Sequence, residues 1–66
     1  MNDAQLRLEP LVYSVTEAAE VLQVSRSTVF ELIHSRQLAS FTIGRRRLVT
    51  RADVVDFIAY RRELAR

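Results

Sequence analysis

The sequence has no cysteine and no lysine, and only one histidine, one glycine and one proline. Without cysteine, neither a disulfide framework nor a thiolate metal site can form. One histidine excludes a histidine-rich zinc site, so no metal is expected. No stretch is apolar over the roughly 20 residues that a membrane-spanning helix needs, and the N-terminus lacks the apolar run of a signal peptide. The expected location is cytoplasmic, with no membrane partner. There are no repeats, no low-complexity segments and no Gly-rich phosphate loop. The lone His34 has no evident orienting partner, and several carboxylates fall at helix caps or on outer faces. An enzyme is therefore not expected, nor is a cofactor.

What remains is 66 residues, 48% of them apolar, enough for one small domain with a core shared by about three helices. A chain this short buries only about 60% of the surface its unfolded form exposes, so its stability is modest. The net charge of +2 is unevenly spread. Arg7 against Asp3, Glu9, Glu17 and Glu20 leaves residues 1–24 at −3. Arg26, Arg36, Arg45, Arg46 and Arg47 against Glu31 bring residues 25–47 to +4, and residues 48–66 add +1. Positive charge concentrated in one segment is the pattern of a local phosphate-binding surface.

Pro10 discourages a helix near the N-terminus. Residues 1–11 are expected to be a flexible tail, mobile to about Glu9, with a short extended piece over Leu11 to Tyr13 leading into a domain over residues 12–66. Ser14 and Glu17 have the spacing of a capping box that opens a first helix. Val15, Ala18, Ala19 and Leu22 then repeat as a single buried face. Gln23-Val24-Ser25 reads as a turn, with Val24 as an apolar plug and Ser25 as the N-cap of a second helix ending near His34. Val29, Leu32 and Ile33 form its buried stripe. Leu38 is expected to tuck into the core. Ala39 to Ile43 and Arg45 to Val49 flank Gly44 as a β-hairpin, which is too small to be stable without packing on the helices. Thr50 with Asp53 opens a third helix, reaching as far as Leu64, with Val54, Phe57 and Ile58 inward and Val55 and Ala59 widening that face. The expected fold is mainly α with a small β-hairpin: a winged helix-turn-helix of three helices plus a two-stranded wing.

Two features point to DNA. The second helix opens Ser25-Arg26-Ser27-Thr28, offering hydroxyls and a guanidinium at an N-terminus whose free amides already attract phosphate. A major groove about 12 Å wide admits such a helix, with Arg26 and Ser27 placed to reach base edges. Thr28 either supports the cap or joins the contact. Phe30, off the buried stripe, either covers the hairpin or the end of the first helix, the preferred reading, or meets a thymine methyl or sugar. Glu31 either pairs with Arg26, which is preferred, or accepts from a cytosine amino group. His34 is a surface residue within reach of a phosphate. The second feature is Gly44-Arg45-Arg46-Arg47: three like charges on a tight turn repel one another unless an anion lies beside them. The candidate site is thus Ser25, Arg26, Ser27, Thr28, Phe30 and His34 on the helix, with Gly44, Arg45, Arg46 and Arg47 on the wing.

The runs Ser14-Val15-Thr16-Glu17-Ala18-Ala19-Glu20-Val21-Leu22 and Val24-Ser25-Arg26-Ser27-Thr28-Val29 carry a family likeness. So do Leu38, Ile43-Gly44-Arg45-Arg46 and Thr50-Arg51-Ala52-Asp53-Val54. Together they resemble the excisionase-type helix-turn-helix domain, small winged-helix proteins related to the DNA-binding domain of the MerR regulators. The resemblance implies a second helix in the major groove and a wing along the adjacent backbone or minor groove. One departure is Ser35-Arg36-Gln37-Leu38, where the family often has a glycine before the leucine. Another is that no C-terminal dimerisation helix or effector domain of the MerR kind is expected, and a domain alone resembles recombination directionality factors rather than sensor-regulators. The implied function is an excisionase that binds and bends attachment-site DNA to favour excision by an integrase. It would be a monomer in solution that assembles cooperatively on double-stranded DNA in the nucleoid of a bacterial or phage-infected cell. A small prophage or plasmid transcriptional regulator shares the same chemistry. A protein-interaction adaptor is the alternative of another class.

Overall fold

The computed structural model describes residues 10–66. The expected mobile tail to Glu9 lies outside the described residues. Strand β1 (Val12–Ser14) leads directly into helix α1 (Val15–Leu22), and a short turn joins α1 to helix α2 (Arg26–His34). Strands β2 (Phe41–Ile43) and β3 (Arg46–Thr50) form the hairpin, and helix α3 (Arg51–Leu64) follows. This is a winged helix-turn-helix.

The hairpin is one strand richer than expected. β1 pairs antiparallel with β3, which places β3 at the centre of a three-stranded sheet in the order β1-β3-β2. The piece expected over Leu11 to Tyr13 is thus a true strand shifted one residue on, with Tyr13 opposite Val49 and Ser14 opposite Leu48. Leu11 itself is tied down, its carbonyl accepting the Arg51 N–H at 2.8 Å.

Ser14 does two jobs, ending β1 and capping α1. Its hydroxyl accepts the Glu17 N–H at 3.1 Å while its own N–H donates to Glu17 Oε1 at 2.8 Å, the complete capping box. Ser25 caps α2 through its hydroxyl alone, accepting from the Thr28 N–H at 3.1 Å. At α3 the Thr50 hydroxyl accepts the Asp53 N–H at 3.0 Å, so the hydroxyl half of that expected pair is formed.

Both α1 and α2 end without glycine. Gln23 and Arg36 adopt left-handed backbone conformations, with φ of 59° and 64°. In each case the chain closes a Schellman motif: Val24 N–H to Ala19 O and Gln23 N–H to Glu20 O after α1, and Gln37 N–H to Leu32 O and Arg36 N–H to Ile33 O after α2. These bonds satisfy carbonyls that a helix end otherwise leaves bare. Arg36 therefore makes the exit that glycine often makes in the resembling family.

The core is a single cluster of Val15, Ala18, Ala19, Val29, Leu32, Leu38, Val49 and Val54, with Tyr13, Leu22, Ile33 and Phe57 packed at its rim. The expected faces of α1 and α2 are confirmed, and Leu38 is buried as expected. Two expectations fail. Val24 is not a plug: the motif that closes α1 uses its N–H and leaves its side chain 39% exposed. The inward face of α3 is also narrower than expected. Val54 is buried and Phe57 half-buried, but Ile58, Val55 and Ala59 are exposed. A core one layer deep touches α3 along one edge only, and that edge continues to Arg61 instead. Arg61 lies 5.8 Å from the Phe57 ring centroid and donates to Gln37 Oε1 at 3.3 Å.

Candidate nucleic-acid interface

The register of the sheet places the wing beside the helix-turn-helix unit. Because Ser14 pairs with Leu48, the start of α1 lies next to the base of the wing. Arg45, Arg46 and Arg47 share one open groove of about 460 Å³ with Arg26 and Phe30 of α2 and with Ser14, Val15 and Thr16. Four arginines thus converge on a depression bounded by the starts of two helices. Such a surface suits a polyanion, because guanidinium forks take phosphate bidentately and release counterions.

The wing's turn is Gly44-Arg45, between the pairs Ile43–Arg46 and Thr42–Arg47. Gly44 has φ of +60°, the left-handed value that a two-residue hairpin turn favours and glycine adopts freely. A Cβ there would meet nothing within 4 Å, so backbone conformation rather than space selects glycine. Only Arg45 sits at the tip. Arg46 and Arg47 begin β3, opposite Ile43 and Thr42 of β2. Arg47 is steadied by donating to Ser40 Oγ at 3.1 Å. Arg46 lies close enough to Glu17 to help lower that carboxyl's pKa, after the larger effects of hydrogen bonds from the Ser14 backbone and side chain.

On α2, Arg26, Ser27, Phe30 and His34 are exposed, while Thr28 is half-buried. The Thr28 hydroxyl lies 3.0 Å from Ser25 Oγ, so the cap already engages both hydroxyls. Arg26 does not pair with Glu31. Five residues of helix separate them by about 140° around the axis, and the one ion pair among the described residues is Arg66 with Glu63. Arg26 instead lies over the Phe30 ring, 5.7 Å from its centroid. Phe30 is 36% exposed, lies beneath Arg26, and faces the wing arginines and the start of α1 across the same groove.

His34 falls in a second open groove of about 580 Å³, with Phe30, Ile33, Arg36, Leu38, Ala39, Ser40 and Arg47. Of the sequence-derived residues, Arg26, Phe30, Arg45, Arg46 and Arg47 line the first groove and His34 the second, with Phe30 and Arg47 bordering both, whereas Ser25, Ser27, Thr28 and Gly44 line neither. Sequence reasoning missed Ser14, Val15 and Thr16 as lining residues. The capping box marked the start of α1, but nothing in the sequence said that β1 would carry it to the wing. Among the described residues no cluster of histidine and acidic side chains could hold a metal ion, and no helix is long and apolar enough to cross a membrane.

A helix held by a short turn against a scaffold helix, with a β-hairpin beside it, defines the winged helix-turn-helix class, a DNA-binding architecture. Residues 12–62 match the family described as a helix-turn-helix domain, and the chain belongs to that family. Neither the curated proteins nor the solved structures contain a match to it.

Proposed function

We propose that the protein is an excisionase-type DNA-binding protein. In this reading α2 enters the major groove with Arg26 and Ser27 toward base edges, while Ser25 and Thr28 hold its N-terminus in position. Phe30 and His34 lie along the flank of the contact, and Gly44 to Arg47 follow the neighbouring backbone or minor groove. The observation that carries the reading is the single groove shared by Arg26 and the three wing arginines. One short helix with one outward arginine near its start offers specificity with little affinity, and the wing supplies the rest.

The excisionase role rests on the resemblance of the motifs from Ser14 to Val54, and its mechanism is architectural. Bending a site of 20–30 base pairs costs on the order of 1–6 kcal/mol, which added backbone contacts offset. Monomers arranged along repeated sites would share that cost, and an integrase would act on the bent DNA.

The test combines a mobility-shift titration on attachment-site DNA with an in vitro recombination assay containing the cognate integrase. Binding accompanied by a rise in excision over integration supports the proposal. Binding that leaves the integrase's directionality unchanged would end the excisionase reading and leave a regulator in its place. Absence of binding to any duplex would remove both.

A further inference from the structure

Arg26 occupies the first position of α2, where the positive end of the helix dipole offers a cation no attraction. Its expected partner, Glu31, lies on another side of the helix. Phe30, one turn along, is on the same face, and the guanidinium carbon of Arg26 sits 5.7 Å from its ring centroid. The electron-rich face of an aromatic ring attracts a guanidinium at this range. Phe30 also stands where the two grooves meet. An arginine that wanders in solvent loses rotamer freedom when it binds, whereas one already resting on a ring has surrendered part of it beforehand.

We propose that Phe30 is a positioning residue: it holds Arg26 ready for one base, so that the pair sets the sequence preference of α2. The base is guanine, whose N7 and O6 form the major-groove edge that an arginine takes bidentately. This inference rests on the reading of α2 as the recognition helix. Phe30 acts through Arg26 and makes no phosphate contact of its own.

The experiment is selection from a duplex pool with a randomised core, run with the wild type, Phe30→Leu, Phe30→Tyr, Arg26→Ala and the double variant Phe30→Leu/Arg26→Ala. Circular dichroism melts establish that each is folded. The wild type and Phe30→Tyr should enrich guanine at one position, and Arg26→Ala should lose that enrichment. Phe30→Leu should weaken discrimination at that position by roughly two- to fivefold, the range of an exposed cation–π contact. It should leave the salt dependence of binding unchanged and add nothing once Arg26 is alanine. An equal Phe30→Leu effect with and without Arg26 would overturn the proposal, as would no effect at all. A wild type that enriches no base would overturn the underlying reading of α2 together with it.

Discussion

Replacing Arg45, Arg46 and Arg47 together by alanine tests whether the wing neutralises phosphates. Each phosphate neutralised on B-DNA contributes about 0.9 to the slope of log affinity against log salt. Three arginines on one groove therefore account for a slope of about 2.7 if all three make contact. Across a rise from about 50 to 200 mM salt, that slope corresponds to an affinity change of about 40-fold. The wild type should lose that factor in addition to whatever the triple variant loses. The fold should survive, because all three side chains are exposed and the Arg47 bond to Ser40 lies at the surface. Mobility shifts on one duplex at several salt concentrations provide the measurement.

The single variants refine the test. Arg45 at the turn and Arg46 and Arg47 on β3 need not all reach a phosphate. If only the tip reaches the DNA, Arg45→Ala alone removes about 0.9 of slope, and the triple variant removes no more. If the wing runs along a backbone, the three reductions add. Parallel salt plots for the wild type and the triple variant would refute the reasoning, because they would place the wing away from phosphates.

Three further outcomes follow from the fold. Arg36→Gly should stabilise the domain in urea unfolding by up to about 1–2 kcal/mol, the cost that φ of 64° imposes on any L-residue but not on glycine, whereas Arg36→Val, β-branched at that φ, should destabilise it. Leu38→Ala, at a site 1% exposed, should cost about 2–5 kcal/mol. That is much of what a domain this size possesses, and a thermal melt would show it. Hydrogen bonds from Ser14 hold the Glu17 pKa below its ordinary value of 4.5, so its charged cap stabilises the fold at neutral pH and fades as acidification passes its folded pKa. The wild type should melt above Glu17→Gln at pH 7, and the gap should narrow as pH falls below 4.5 and through the lowered folded pKa; a gap constant across the acid titration would refute the assignment.

Much of this architecture was legible in local chemistry. The Ser14–Glu17 box and the Ser25 cap announce their helices three residues at a time, and the buried stripes of α1 and α2 repeat at helical spacing. The elements that escaped depend on distant partners. Val12 to Ser14 is too short to show a strand period, and only β3, more than thirty residues later, makes it one. Val24 is apolar, which by itself favours the interior, but the left-handed Gln23 turns the chain so that the motif uses its N–H and leaves its side chain outside. The Arg26–Glu31 pairing followed charge alone, and helical geometry put an aromatic ring in the acid's place. On α3, adjacent apolar residues suggested a broad face, whereas a thin core accepts only Val54 and part of Phe57.

The third strand bears on function as well as on fold. A hairpin paired only with itself could pivot about its two ends, and its arginines would then have no fixed relation to Arg26. Here β3 is hydrogen-bonded on both sides, and its partner β1 runs without a gap through Ser14 into α1. At its far end β3 passes through Thr50 into α3, where the Arg51 N–H closes back on Leu11. The wing is therefore continuous with the helix against which α2 packs. Its arginines meet Arg26 across a groove whose walls are joined through the sheet and α1, so in the proposed reading the wing and α2 approach DNA together.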